Sequence, residues 1–523
     1  MLKNTIRSLI MALFLLMPMG MAGRLLASDS AGSGQRILVQ DFRFSGNSAI
    51  SAAALASVVE SSKGKELSLA ELQAVADKVS DYYRTNGYFL AKALLPEQDI
   101  SGGVVNMEIL EGKLGKVVIN GNHHYSSYFL QQYFNRIRRQ GVIKQDVLER
   151  ALLLMNTLPN LKVTSVLQAG AEKGTTDIIV TVVEGKQTRS NLEMDNFGSR
   201  YSRVRAQAGV DFLNQLHRGD VLSLGGLTGV GSDKLYYFNL NTSIPIDANG
   251  THIGFYGLSG DFGIGKEFAV LNIQGKASAY GLSFNRTISM KRKSSLVGEA
   301  GLDWKNSRQN ILSTNSSNDN IVSLRLALKT NSSDARGKTF GGATIQQGLG
   351  HNLGGMETDD PRSSRASAGA DNSFTKINLE FARVQSLSPQ SFLLARFMVQ
   401  ITNKSLVAGE QMAIGGADSV RGYSQSEYSG DGGYQFSLEG RFAKSPEMLN
   451  KLQFAVFGDL GHISVKSPVL GQVRSKTLTG LGIGLRFYPG NDLFIRADVG
   501  FPAGGKVSGD KSALPYLQIY KTF

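Results

Sequence analysis

From residue 187 to the end of the chain, apolar and polar residues alternate in one stretch after another, and this limits the possible folds more than any other feature. Val204, Ala206, Ala208, Val210 and Phe212 alternate with Arg205, Gln207, Gly209 and Asp211. Tyr236, Phe238, Leu240, Thr242 and Ile244 alternate with Tyr237, Asn239, Asn241 and Ser243, and Val322, Leu324, Leu326 and Leu328 with Ser323, Arg325, Ala327 and Lys329. A period of two puts the apolar side chains on one face of a strand, which suits lipid on one side and water on the other. Past the N-terminus no apolar run reaches the roughly 18 residues a membrane-spanning helix needs. Sixty glycines against eleven prolines, and a mean hydropathy of -0.11, also speak against a helical membrane protein. At roughly 20 residues per strand and connection, 187–523 predicts an antiparallel transmembrane β-barrel of about 16 strands. Asp247-Ala248-Asn249-Gly250 reads as a short turn, Asp303–Asn320 and Asp359–Ser373 as long polar loops, and Leu517–Phe523 as the closing strand. A soluble β-sandwich is the competing fold, but sandwiches rarely run this long without subdividing.

Two small α/β units are expected ahead of the barrel, at 36–113 and 114–186, because the sequence repeats. Phe42-Arg43-Phe44-Ser45-Gly46-Asn47 is echoed by Val117-Val118-Ile119-Asn120-Gly121-Asn122. The first unit closes with Val104–Lys113 and the second with Ile178–Lys186, each ending Glu-Gly-Lys. In the first, Ser68 and Glu71 form a capping box. Leu69, Leu72, Val75, Ala76, Val79, Tyr82 and Tyr83 follow at helical spacing, up to Asn86-Gly87. In the second, Val147, Leu148, Ala151, Leu152, Met155 and Leu158 form the matching stripe, stopped at Pro159. These stripes read as core packing. Residues 1–27 read as a secretory signal: Lys3 and Arg7, an apolar Leu9–Met17, then Ala22 and Ala27, with cleavage expected after Ala27.

Little in the chain argues for catalysis, a metal or a cofactor. With no cysteine there is no disulfide, thiolate ligand or thiol nucleophile. The net charge of +13 does not imply nucleic acid, since the basic residues look scattered along the sequence and 28–186 is near neutral. The excess falls in the C-terminal region, where it can line a lumen or meet anionic headgroups. Gly260–Lys266 has phosphate-loop spacing, but Glu267 replaces the magnesium-holding Ser or Thr, so it reads as a barrel loop. His123-His124, taken as strand neighbours, face opposite ways and do not suggest a metal site. Ser259 lacks the glycine spacing of a nucleophile elbow, and His462 near Asp459 has no placed serine.

Two fragments stand apart. Val420-Arg421-Gly422-Tyr423 places an arginine on a glycine-flanked turn, and Phe457-Gly458-Asp459-Leu460-Gly461 places an aspartate on a strand. In a polar lumen, where water screens less than in bulk, the two can form a charge-assisted pair.

Taken together, the chain resembles the outer-membrane transporters of two-partner secretion, the TpsB-type hemolysin secretion/activation family. Tyr83–Ala91 with Leu95–Ile100 resembles the family's first POTRA domain, and Ala151–Pro159 the second. Asp195–Arg200 resembles the barrel's opening strand, Ile414–Tyr423 the long sixth extracellular loop that folds into the lumen, and Phe457–Gly461 the strand motif that receives it. The resemblance implies that Val420, Arg421, Gly422 and Tyr423 latch onto Phe457, Asp459 and Gly461. It also implies that the POTRA domains bind a secreted exoprotein, with Tyr88, Phe89, Pro96 and Gln98 as candidate contacts. That partner would be a β-helical adhesin, cytolysin or toxin. Outer-membrane lipid and the barrel assembly machinery complete the implied partners, with no cofactor and no nucleic acid. Many relatives carry a plug helix before the first POTRA domain, and Ser28–Arg36 is too short for one with a tether. The alternatives are an assembly factor of the same superfamily, a barrel phospholipase or protease, and a diffusion porin.

Overall fold

The computed structural model describes residues 36–199, 203–231, 235–264, 270–469, 471–504 and 512–523. The predicted signal peptide therefore lies outside the described residues, as does Arg200 of the opening-strand motif. The chain packs as two units, one running to Tyr82 together with Lys92–Ile109, the other Tyr83–Ala91 together with Leu110–Phe523.

In the first unit, Asp41–Ser45 pairs in parallel with Val104–Leu110, and Lys92–Leu94 completes a three-stranded sheet. The helix Leu69–Thr85 starts at the expected capping box. The Ser68 amide donates to the Glu71 carboxylate at 2.7 Å, and the Glu71 amide to the Ser68 hydroxyl at 3.3 Å. Leu72, Val75, Ala76 and Val79 are buried, but Leu69 is 73% exposed, against the predicted stripe. It occupies the first helical position. Leu67 and Leu72, on either side of the cap, are the buried pair, the positions of a hydrophobic staple.

The second unit begins with another three-stranded sheet, in which Thr175–Glu184 lies between Lys113–Asn120 and the edge strand Leu161–Ala169. Helices Ser127–Gln131, Asn135–Gln140 and Gln145–Met155 bury Phe129, Leu130, Ile137, Val147, Leu148 and Met155 in one core with Val163, Ile178 and Val180. Phe89 and Leu90 pack on that core, and Gly87 accepts a hydrogen bond from the Gln145 amide at 2.9 Å.

Beyond this domain a barrel closes from sixteen antiparallel strands. They are β1 (Thr188–Asp195), β2 (Val204–Leu213), β3 (Val221–Val230), β4 (Leu235–Pro245), β5 (Thr251–Ile264), β6 (Ile273–Lys291), β7 (Ser294–Ile311) and β8 (Thr314–Ser333). The circuit continues with β9 (Gly337–Gly348), β10 (Thr375–Ser388), β11 (Ser391–Thr402), β12 (Gly432–Phe442), β13 (Leu452–Ser464), β14 (Ser475–Phe487), β15 (Leu493–Gly504) and β16 (Leu514–Thr522). The terminal strand β16 pairs with β1 over Gln518–Thr522 and shuts the cylinder. Leu324, Leu326 and Leu328 of β8 face outward and are exposed, while Ser323 and Ala327 are buried inside, as the alternation requires.

Three further readings need correction. Asp303–Asn320 is not a loop: β7 and β8 pair through Ile311↔Thr314 around a tight turn at Leu312-Ser313, both with positive φ. The polar composition concealed this hairpin because its strands outrun the roughly 25 Å apolar band, and on β8 the buried face is itself polar. Ser317 and Asp319 lie under the β9–β10 connection, where the Ser364 amide donates to Asp319 at 2.8 Å and the Asn318 amide to Arg362 O at 2.7 Å. Gly260–Ile264 belongs to β5, not to a loop; the rest of that motif lies outside the described residues. His123 and His124 sit in a turn after Asn120 rather than on a strand.

The second α/β domain is joined to one rim of the barrel. Glu184 accepts the amides of His123, His124 and Tyr125 at 3.0, 2.9 and 2.9 Å and the His124 ring at 2.9 Å. Burial works against ionisation of Glu184, but the Tyr125, His124 and His123 amides and the His124 ring outweigh it and hold the carboxyl below its usual range. From this turn the Ser126 amide donates to His217 O at 2.8 Å, and the His217 ring meets His124 O at 2.6 Å. The short β2–β3 and β4–β5 turns are thus on the domain side.

Candidate functional site

The long connection from β11 to β12, residues 403–431, turns into the barrel. Its stalk is a two-stranded hairpin, Met412–Ile414 with Tyr428–Gly430, and at its tip Gly415 and Gly416 take positive φ. Ile414, Val420 and Tyr423 join Ile463, Val465 and Leu478 in a buried apolar cluster that glues the tip to β13 and β14.

Arg421 is the polar centre of that contact and is 1% exposed. Its Nε and Nη2 reach the two Asp459 oxygens at 2.7 and 2.9 Å, the fork-on-fork geometry that suits guanidinium and carboxylate. The Arg421 backbone N–H donates to Asp459 as well, at 3.1 Å, and Ser437 Oγ donates to it at 2.7 Å. The guanidinium lies 3.3 Å from the centre of the Phe457 ring, a cation–π contact away from bulk water.

Gly461 explains itself by what it lacks: a Cβ there would stand 2.7 Å from Val420 Cγ2 and 3.0 Å from Ile414 Cγ2. Gly422 has φ of 104°, where an L side chain is strained, and its amide donates to Tyr516 Oη at 2.9 Å. Tyr423 Oη donates to Gly504 O at 2.5 Å. The structure thus brings together all seven residues singled out in the two fragments. His462 takes no part: neighbouring side chains on β13 alternate, and it stacks on Tyr434 on the opposite face from Asp459.

The site is larger than the two fragments. Glu439 of β12 accepts Arg421 Nη1 at 2.5 Å, and Asp498 of β15 lies 3.5 Å from the same nitrogen. Both carboxylates are shared with Arg486 of β14, while Arg441 adds to Glu439 and Arg496 to Asp498. Four guanidinium groups therefore interleave with three buried carboxylates. Gly480 and Gly500 form the floor, since a Cβ at Gly480 would strike Arg421 O and one at Gly500 the Gly422 amide.

A second attachment holds the near end of the same loop. Glu410 is buried and accepts Lys305 of β7 and Lys376 of β10, both at 2.6 Å. Asp431, at the far end of the loop, takes Arg365 at 2.5 Å and the Leu406 and Lys466 amides at 2.9 and 2.8 Å. Neither was singled out from sequence.

The four candidate partner contacts fall in different units. Phe89 lines an open groove of the second α/β domain with Leu148, Leu152, Leu153 and Leu167, beside the edge strand Leu161–Ala169. Tyr88 packs edge-on against Tyr83 and beneath Lys144. Pro96 and Gln98 lie in the first unit, where the Gln98 amide is spent on both backbone groups of Asn106 at 2.7 and 2.8 Å.

Comparison with known proteins fits this architecture. Residues 174–487 match the family described as haemolysin secretion/activation protein ShlB/FhaC/HecB, and 37–112 match the ShlB-type POTRA domain. The heme/hemopexin transporter protein HuxB of Haemophilus influenzae is 26% identical over 90% of this chain and 84% of its own length. The outer membrane transporter CdiB of Dickeya dadantii is 23% identical over 84% of this chain and 78% of its own. Among solved structures, CdiB from Escherichia coli superposes with a TM-score of 0.78 at 18% identity, covering 95% of this chain and 93% of that one. BamA from Haemophilus ducreyi, lacking its POTRA domains 1–3, superposes at 0.56 and 14% identity over 93% of this chain and all of that one.

Proposed function

The chain belongs to the haemolysin secretion/activation protein family, and on that premise we propose that it exports a secreted partner protein, unfolded and β-rich, from the periplasm through the barrel. The barrel spans the outer membrane, and the POTRA domains stand in the periplasm. The partner would be a large β-helical exoprotein, whether adhesin, cytolysin or toxin, and its folding outside the cell would supply the drive.

The observation that supports this reading best is the buried lock on Arg421. A loop held in the lumen by a set of ion pairs keeps a wide pore shut between substrates, and an arriving chain can displace it. Recognition fits the groove beside Leu161–Ala169, where an extended segment can add to the sheet edge and seat side chains against Phe89, Leu152 and Leu167.

The test is deletion of 36–186, which removes both POTRA domains and the groove with them, with the barrel still inserted. Partner protein should accumulate in the periplasm; undiminished export would overturn the proposed recognition. Depletion of the whole chain should stop one secreted protein, whereas a broad loss of outer-membrane proteins would favour an assembly factor.

A further inference from the structure

Read along the chain the cations look scattered; folding gathers a group of them. Where the second α/β domain meets the barrel rim, a cleft is lined by Arg136, Arg150, Arg286, Lys291, Arg292 and Lys293, against only two carboxylates, Asp146 and Glu149. Glu149 is spent on Arg292. Arg286 lies 3.7 Å from Asp247, a weak pair, and Asp247 is also engaged by Thr251 and Asn249. Among the described residues, Arg136, Lys291 and Lys293 make no ion pair. Arg150 is half-buried and, among the described residues, donates to the carbonyls of Thr287 and Asn249, at 3.0 and 3.3 Å, and to no carboxylate. Burial and the nearby Arg136 and Arg286 guanidinium groups lower its pKa, the mark of cations crowded without an anion.

The cleft also has an apolar wall. Ile288 is the extra residue of a bulge where the β6–β7 register slips between Thr287 and Ser289. It is 54% exposed, on the outer side where Phe284 and Leu282 of β6 and Leu328 of β8 are also exposed. Bulges of this kind re-aim a side chain. An excess of positive charge at the membrane edge, continuous with the lipid-facing surface, matches an amphiphile with an anionic head. An acidic peptide would match the charge but not the wall.

We propose that this cleft binds the headgroup of an anionic phospholipid from the periplasmic leaflet, its acyl chains lying along Ile288 and the outer face of β6, so that lipid ties the second POTRA domain to the barrel. The full chain, purified in mild detergent, would be offered phosphatidylglycerol and phosphatidylcholine in equal amounts, and retained lipid counted by native mass spectrometry. The intact chain should retain phosphatidylglycerol with at least a tenfold preference. Arg136→Glu with Lys291→Glu and Lys293→Glu should abolish it while leaving the heat-modifiable barrel band unchanged. The milder pair Lys291→Gln and Lys293→Gln, on an exposed turn, should lower it at least threefold, which keeps the test decisive if the charge reversal disturbs folding. Equal retention of the two lipids by the intact chain, or an undiminished preference in both variants, would overturn the proposal. So would variants that keep the preference but lose partner export, which would make the cleft a contact for the exported chain.

Discussion

The loop between β11 and β12 is tied to the barrel wall twice, with opposite chemistry. At the tip the loop supplies the cation, Arg421, and the wall supplies Asp459, Glu439 and Asp498. At the near end the loop supplies the anion, Glu410, and the wall supplies Lys305 and Lys376. The tip is a shaped fit: a planar fork on a carboxylate, an aromatic ring against its face and glycines wherever a Cβ would intrude. The near end joins a carboxylate to two flexible point charges. Guanidinium stays charged and holds one geometry, whereas a lysine ammonium turns freely and can shed its proton when stranded. The tip therefore fixes position, and the near end tolerates movement.

The comparison breaks first at Arg421. Replacing it with alanine leaves Asp459 and Glu439 facing the lumen without their loop partner, a loss of about 3–5 kcal/mol for a broken buried pair. Export should collapse, and planar-bilayer recordings should show a persistently open pore. Arg421→Lys should do nearly as badly, because an ammonium cannot span both Asp459 oxygens. Normal secretion by either variant with the barrel inserted would refute the lock.

The next effect needs no change of charge. Gly480→Ala puts a methyl group into the carbonyl of Arg421, and overpacking of this kind costs about 1–3 kcal/mol. The loop tip should lift, so export falls and conductance rises, both less than for Arg421→Ala. An unchanged conductance would mean that the glycine floor is incidental.

What was legible in sequence follows the same division. Arg421 and Asp459 could be read because each sits in a short fragment whose glycines and aromatic mark an unusual backbone. Glu439, Asp498 and Arg486 could not, because each is one more inward residue on an alternating strand, and only closure of the barrel sets them side by side. Gly480 and Gly500 are hidden by the glycines around them. Glu410 has no local mark at all: Lys305 and Lys376 come from β7 and β10, far off in sequence. The period of two marked the strands and the length of the region gave about sixteen of them. Yet the pattern failed at Asp303–Asn320, where the face of β8 that carries Ser317 and Asp319 is buried under a polar connection.

Glu410→Gln should have a smaller effect than either change at the tip. Lys376 is buried and loses its partner, but as a lysine it can deprotonate, and the tip remains locked. Brief openings should become more frequent in planar bilayers while export stays within about twofold of normal, a ceiling of ~0.4 kcal/mol. Collapse of export would show that the two attachments act as one.

The smallest effect on the pore separates ion pairing from a third way of holding charge, in which backbone amides do most of the work. Glu184 is held by three amides and the His124 ring, and its pKa is depressed below the ordinary 4.5. A depressed carboxyl contributes stability that is complete above the unfolded value and fades as pH falls through the folded one. In that window the unfolded chain binds more protons, so stability rises with pH. Hydrogen exchange at the amides of 123–125, corrected for the intrinsic rate, should therefore lose protection between about pH 4.5 and the lower folded pKa, and be flat above. Glu184→Gln keeps one acceptor oxygen and turns an amino group toward amide donors, at about 1–3 kcal/mol. It should lower protection at pH 7 and erase the acid dependence, leaving the pore shut. Acid dependence that survives the substitution would assign the protection to another group. A pore that opens would mean that this joint and the lumen lock are coupled, and that the loop is released from the periplasmic side.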